Sequence, residues 1–286
     1  MEEKSSTAGG RHCGPAHAAG GPAHAAGGPA KAGRARALAA RGRFPHILFK
    51  YSMYSMKNYA GVLLDADNTL FDYDRAETEA LEETLADVAP ATPRMQAMEA
   101  YRAINAGYWK RFEAGGIDAE GLRIGRWVDL FRTLDLSGDP ARAAADYTAR
   151  LARKPHLMPG AAAAVAALAR RARLGLVTNG LSMVQRGRLA TSGLSGHFTA
   201  VLISEEMGVA KPDPRFFHAA ANALGLEPAR LLCVGDNPAA DVAGARAAGI
   251  DACWFSPSGA PWPGPGEPPA YIVRDLGELP SFVGGP

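Results

Sequence analysis

Five short apolar runs recur between residues 60 and 255: AGVLLD (60–65), LGLVTN (174–179), AVLIS (200–204), LLCVGD (231–236) and ACWF (252–255). An unbroken apolar run leaves no strand face for water, so each run must be covered on both sides. Runs that alternate with helical stretches meet that demand in one parallel sheet with helices on both faces. The predicted fold class is therefore α/β, a Rossmann-like, doubly wound parallel sheet. Helical periodicity places helices over 161–171, 182–192, 214–224 and 239–248. Gly193, Gly225 and Gly249 stand where three of them should stop.

The long gap after the first run breaks this alternation. Residues 73–158 hold no convincing strand but are rich in Ala, Leu, Arg and Glu at helical spacing, with breaks near 90–93, 115–118 and 137–140. About four helices are predicted there. In an open α/β sheet, ligands bind outside the carboxyl ends of the strands, and an insert after strand one would sit over that place. The predicted organisation is a low-complexity tail at 1–57, an α/β core at 58–72 and 159–286, and an inserted helical cap at 73–158.

Net charge is +2, but it divides unevenly: residues 1–57 carry about +7 and the remainder about −5. An acidic body lacks the basic surface of a nucleic-acid binder, so no nucleic-acid partner is expected. The tail repeats GPAHAAG, GPAHAAG and GPAKAG, small residues that cannot offset their ordering entropy, and disorder is predicted. His17 and His24 recur at the repeat period but lack further ligands. Patterned sequence begins abruptly at Tyr59, which makes Met53 or Met56 the expected true start. Cys13, Cys233 and Cys253 lie far apart, the last two in apolar runs, and read as free thiols of a reducing cytoplasm. No run approaches the length of a membrane span, and no secretory signal is apparent, so a cytoplasmic protein without a membrane partner is expected.

The first four strands end in polar residues: Asp65 and Asp67, then Thr178 and Asn179, then Ser204 with Lys211 following, then Asp236 and Asp241. Any one of these reads equally well as a turn or a helix cap. Four together, predicted to converge on one sheet edge, read as a site. Three converging carboxylates repel one another and call for a cation; a hard divalent ion with oxygen ligands, Mg²⁺ beside phosphate, suits them. Lys211 adds a second positive charge. With phosphoryl oxygens screened in this way, a carboxylate can attack phosphorus, and a second carboxylate two residues on can move the proton.

The motifs DADNT (65–69), TNG (178–180), AKP (210–212) and GDNPAAD (235–241) resemble the four ordered motifs of the haloacid dehalogenase-like phosphohydrolase superfamily, over about residues 58–256. The resemblance implies Asp65 as a nucleophile that forms an aspartyl phosphate. It implies Asp67 as general acid and base, with its main-chain carbonyl on Mg²⁺. Thr178, Asn179 and Lys211 become phosphate-binding groups, Lys211 also the charge neutraliser, while Asp65 and Asp236 are metal ligands and Asp241, behind the metal, holds metal-bound water or Lys211. Residues 70–74 would form a short hairpin flap. DADNTLFDYD, VTNGLSMVQRGRL, ISEEMGVAKPDPRFF and GDNPAADVAGARAAGIDACW are similar to the branch of noncanonical pyrimidine nucleotidases. That likeness implies a small-molecule phosphate ester, a nucleoside 5′-monophosphate, as substrate.

Three alternatives accompany this reading. A phosphatase of another small metabolite, a sugar phosphate or phosphoglycolate, would share every motif. A 2-haloacid dehalogenase would need no metal and no second acid, so Asp67 with Asp236 argues against it. A catalytically silent binding module would have lost the nucleophile or a metal ligand. Within the insert, Tyr108, Trp109, Phe112 and Trp127 are candidates to stack on a base, and Arg123 and Arg126 to meet a phosphate or a base edge. Aromatics at helical spacing in a small bundle are more often core, and arginines there are more often solvated. Oligomeric state is not legible from the sequence.

Overall fold

The computed structural model describes residues 57–264 and 266–284. The expectations for the tail, including its disorder, its repeat, its histidines and Cys13, fall outside those residues. The sheet has six parallel strands in the order β3-β2-β1-β4-β5-β6: β1 (Gly61–Asp65), β2 (Arg173–Thr178), β3 (Ala200–Ile203), β4 (Leu231–Gly235), β5 (Asp251–Phe255) and β6 (Tyr271–Val273). Strand β1 lies in the middle, paired with β2 on one side and β4 on the other. The chain reverses its direction of travel across the sheet at β1, so the carboxyl ends of β1, β2 and β4 surround the crevice of a doubly wound fold.

Strand periodicity divides the core as the apolar runs require. Val62, Leu64, Leu174, Leu176 and Val234 face one layer with Val165 and Leu168 of helix α5 (Ala161–Ala169). Leu63, Val177, Leu231 and Cys233 face the other with Phe216, Phe217 and Leu224 of α8 (Pro214–Leu224).

Four helices follow β1: α1 (Tyr73–Val88), α2 (Arg94–Glu113), α3 (Ala119–Thr133) and α4 (Pro140–Ala152). Aspartates start three of them. The Asp72 carboxylate accepts from Arg75 N–H, Asp118 from Gly121 N–H, and Asp139 from Ala141 N–H ahead of Pro140. The bundle has its own core, in which Tyr101, Trp127 and Tyr147 stack with ring centroids 5.1 to 5.5 Å apart. Leu181 and Val184, at the start of α6 (Ser182–Thr191), enter that same core. Helix α6 therefore touches both the bundle and the sheet-edge loops.

Three local expectations are corrected, and one strand is additional. The expected flap hairpin is a tight turn: Asn68 sits at φ +58°, Leu70 N–H and Phe71 N–H both bond to Ala66 O, and α1 begins by Tyr73. The third strand stops at Ile203, and Ser204 opens a short helix, α7 (Ser204–Met207). The helix expected over 239–248 is a π-helical turn, Pro238–Ala243, followed by α9 (Gly244–Ala247). There the Asn237 carboxamide accepts from both Ala239 and Ala240 N–H, while Asp241 turns inward. Strand β6 was not anticipated; three residues at a sheet edge are too short to show a period. Cys233 and Cys253 are buried free thiols, as expected. No helix among the described residues is long and apolar enough to cross a membrane.

Candidate active site

Strand β1 delivers Asp65 to the crevice, where the residue is only 6% exposed. The turn that follows is held by Asn68, whose side-chain oxygen accepts from Tyr73 N–H at 3.1 Å. It is held also by buried Thr69, whose hydroxyl accepts from Asp236 N–H at 3.1 Å and joins the loop after β1 to the loop after β4. Trp254 Nε1–H donates to Asp236 O at 2.8 Å from the far side.

Lys211 approaches from the loop before α8. Its Nζ donates to Asp65 Oδ1 at 2.5 Å, Asp241 Oδ1 at 2.6 Å and Val177 O at 3.1 Å, so all three ammonium hydrogens have acceptors. Asn179 fixes that loop by donating to Lys211 O at 2.8 Å and accepting from Lys211 N–H at 2.9 Å. Thr178 is buried, and its Oγ1 accepts from Gly180 N–H at 3.1 Å, which leaves the hydroxyl hydrogen to donate elsewhere.

One oxygen from each of Asp65, Asp236 and Asp241 lies within 4.8 Å of the others. Burial pushes Asp65 well above the usual carboxylate range; Lys211 pulls the other way, and Asp241 and Asp236 add to the rise. Burial and then Asp241 push Asp236 up to about 7. Burial opposes the charge on Lys211, yet Asp241 and Asp65 outweigh it and hold the ammonium above the ordinary lysine range. Three carboxyl groups against one ammonium make a confined, oxygen-only donor set that resists carrying three negative charges unaided. That is the chemistry a hard divalent cation fits.

These residues line a cleft of about 260 Å³ whose other wall is Tyr73 of α1 and Asn105, Trp109 and Glu113 of α2. Of the eight residues singled out at the strand ends, Asp65, Asp67, Thr178, Asn179, Lys211, Asp236 and Asp241 line it, whereas Ser204 lies on a neighbouring groove. The bundle candidates separate. Trp109 faces the cleft, whereas Phe112 lines a neighbouring groove of about 880 Å³ beside residues 208–215. Tyr108 donates its hydroxyl to Asp129 at 2.8 Å, and Trp127 is fully buried in the bundle core. Arg123 lines neither space. Arg126 is not solvated as expected: it is 2% exposed, its guanidinium lies over the Tyr101 and Tyr147 rings, and it donates to Asn105 Oδ1 at 2.6 Å.

Two residues of α6 were not anticipated. Asp67 lines the cleft, but its carboxylate is held from behind: Gln185 Nε2 donates to Oδ2 at 2.8 Å and buried Arg188 donates to Oδ1. A Cβ on the nearby Gly180 would stand 2.0 Å from Gln185 Nε2, so a side chain there would displace the Gln185 amide. Their i, i+3 spacing on a helix that follows TNG was the available signal.

The haloacid dehalogenase-like hydrolase family matches residues 59–249. The phosphoserine phosphatase of Thermus thermophilus is 37% identical over 214 residues, covering 71% of this chain and 83% of the relative. The pyrimidine 5′-nucleotidase YjjG of Escherichia coli is 31% identical over 223 residues, covering 78% of this chain and 96% of the relative. The structure of the HAD-hydrolase YfnB from Bacillus subtilis bound to magnesium aligns with a TM-score of 0.71 at 30% identity, covering 79% of this chain and 99% of that one. With its motifs at the ends of β1, β2 and β4 and a family match over most of the described residues, the chain belongs to the haloacid dehalogenase-like hydrolases.

Proposed function

We propose that the protein is a Mg²⁺-dependent phosphatase that works through an aspartyl phosphate on Asp65 and hydrolyses nucleoside 5′-monophosphates. The observation that carries the chemistry is the placement of Asp65 at the switch point of the sheet, 2.5 Å from Lys211 Nζ and grouped with Asp236 and Asp241, with Asp67 two residues on. Asp65 attacks phosphorus as the bond to the leaving oxygen breaks, and the Asp67 carboxyl gives its proton to that oxygen. Water then attacks the aspartyl phosphate, Asp67 takes a proton from it, and phosphate leaves with Asp65 restored. Lys211, the Thr178 hydroxyl and the loop fixed by Asn179 offset the phosphoryl charge. Asp65 and Asp236, with the Asp67 main chain, are the groups that would hold Mg²⁺, with Asp241 behind them on Lys211 and Asn237 N–H; the ion would supply Lewis-acid polarisation of the phosphoryl oxygens when bound. Asp67 is the residue a dehalogenase has no use for, and its place in the cleft favours phosphoryl transfer.

The substrate class is supported by the α2 wall. Among the described residues lining the cleft, Lys211 is the one Lys or Arg, and Asp65, Asp241 and Val177 already engage it. A leaving group with its own carboxylate, such as serine or glycolate, meets no free cation there. An uncharged nucleoside meets the Trp109 indole, on which a base can stack, and the polar groups of Asn105 and Glu113. The 5′-nucleotidase relative supports the same reading. A phosphate-release screen over nucleoside monophosphates, sugar phosphates, phosphoserine and phosphoglycolate tests it. Pyrimidine monophosphates are expected to be turned over fastest; a clear preference for a sugar phosphate or a carboxylate-bearing ester would remove the nucleotidase assignment.

A further inference from the structure

Asp67 belongs to a closed ring of three side chains. Arg188 Nη2 donates to Asp67 Oδ1 and, at 2.9 Å, to Gln185 Oε1, while Gln185 Nε2 donates to Asp67 Oδ2 at 2.8 Å. Each bond fixes the next. The Arg188 bond to Oε1 sets the orientation of the Gln185 amide, so its NH₂ must face Asp67, and the two donors then engage both carboxylate oxygens.

The ring is expensive to keep. The Arg188 side chain is wholly buried, its Nε and Nη1 have no hydrogen-bond partner, and its guanidinium lies over the Phe71 ring at 5.0 Å and the Tyr73 ring at 5.7 Å. A buried ion pair with unfilled donors is commonly no more stable than apolar residues of the same volume. Stability alone is thus a poor reason for an arginine at this position. The exposure is also asymmetric, with the Asp67 side chain 29% exposed toward the cleft and Arg188 at 0% behind it. The carboxylate is gripped from the protein side and open on the side where a leaving oxygen would arrive.

We infer that Gln185 and Arg188 are positioning residues for the proton transfer performed by Asp67, fixing its carboxyl toward the leaving oxygen of the ester. The inference rests on the proposed phosphatase reading and extends it to residues of α6 outside the four motifs. Neither residue lines the cleft, so both act through Asp67. Helix α6 also enters the bundle core through Leu181 and Val184, which ties the aim of Asp67 to the seating of the bundle.

The test exploits the leaving group. An alkyl phosphate such as dUMP departs as a poor leaving group and needs the proton, whereas p-nitrophenyl phosphate departs as a stable phenolate and does not. The quantity to compare is kcat/KM, because it ends at phosphoryl transfer to Asp65 and excludes the later hydrolysis common to both esters. Gln185→Leu keeps the volume and deletes the donor. It is expected to lose kcat/KM on dUMP at least about 10-fold more than on p-nitrophenyl phosphate, within the range ascribed to general acid catalysis. Equal losses on the two esters, or no loss on either, would overturn the inference. Arg188→Met is expected to show the same split; should it fail to fold in a thermal melt, Gln185→Leu decides alone. If the wild-type protein hydrolyses another alkyl monoester rather than dUMP, the nucleotidase reading fails and the comparison is made with that ester. If it releases phosphate from none, the phosphatase reading fails and the inference falls with it.

Discussion

Asn179 grips the main chain of Lys211 from both sides, its carboxamide NH₂ donating to Lys211 O at 2.8 Å and its oxygen accepting from Lys211 N–H at 2.9 Å. This pair couples the loop after β2 to the loop before α8, and it sets where the Lys211 ammonium meets Asp65. Asn179→Ala is therefore expected to lower kcat/KM for phosphate release by about 10- to 100-fold through misplacement of Lys211. Urea unfolding of the variant should stay close to wild type. A variant with full activity would separate the loop from catalysis.

Metal removal follows from the carboxylate cluster. EDTA is expected to stop phosphate release and added Mg²⁺ to restore it. Asp236→Asn removes one charged oxygen ligand and should raise the Mg²⁺ concentration for half-maximal activity by about 10-fold or more, read from a titration of activity against Mg²⁺. Metal-independent release would count against this site.

The bundle core predicts a stability effect remote from the chemistry. Trp127 is fully buried between Tyr101 and Tyr147. Trp127→Ala should cost about 3 to 5 kcal/mol of unfolding free energy by urea titration. A loss below about 1 kcal/mol would mean that the aromatic stack does not organise the bundle.

The thiols give a check on burial. Burial holds both Cys233 and Cys253 well above the usual thiol range, in opposite layers of the core. In a Cys13→Ser variant, no thiol should react with an aromatic disulfide reagent until denaturant is added. Fast labelling of the native variant would show that one layer is open.

Much of this arrangement was legible from residue chemistry alone, because Asp65, Thr178 and Asp236 sit where apolar runs stop and Lys211 follows the third run within a few residues. The bundle breaks were legible for a similar reason: Asp118 and Asp139 are helix starters at fixed places. What escaped depends on contacts distant in the chain. Arg126 is buried only because Tyr101 of α2 and Tyr147 of α4 close on it, and its own helix gives no sign of this. Gln185 and Arg188 look like a solvated helix face until Asp67, more than a hundred residues earlier, is placed beside them. The meeting of Asp241 with Lys211 was expected, but not the π-helical turn that brings it about, which helical periodicity does not distinguish from an α-helix.

The central claim is that Asp65 carries the phosphoryl group. Acid quenching of the enzyme during turnover, followed by peptide mass spectrometry, tests it most directly. The account predicts one phosphoryl group on the peptide containing Asp65, lost at alkaline pH as an acyl phosphate should be. It also predicts neither adduct nor turnover in Asp65→Asn, whose amide is nearly isosteric but a poor nucleophile. A phosphoryl group found on another residue, or full turnover by purified Asp65→Asn, would contradict it.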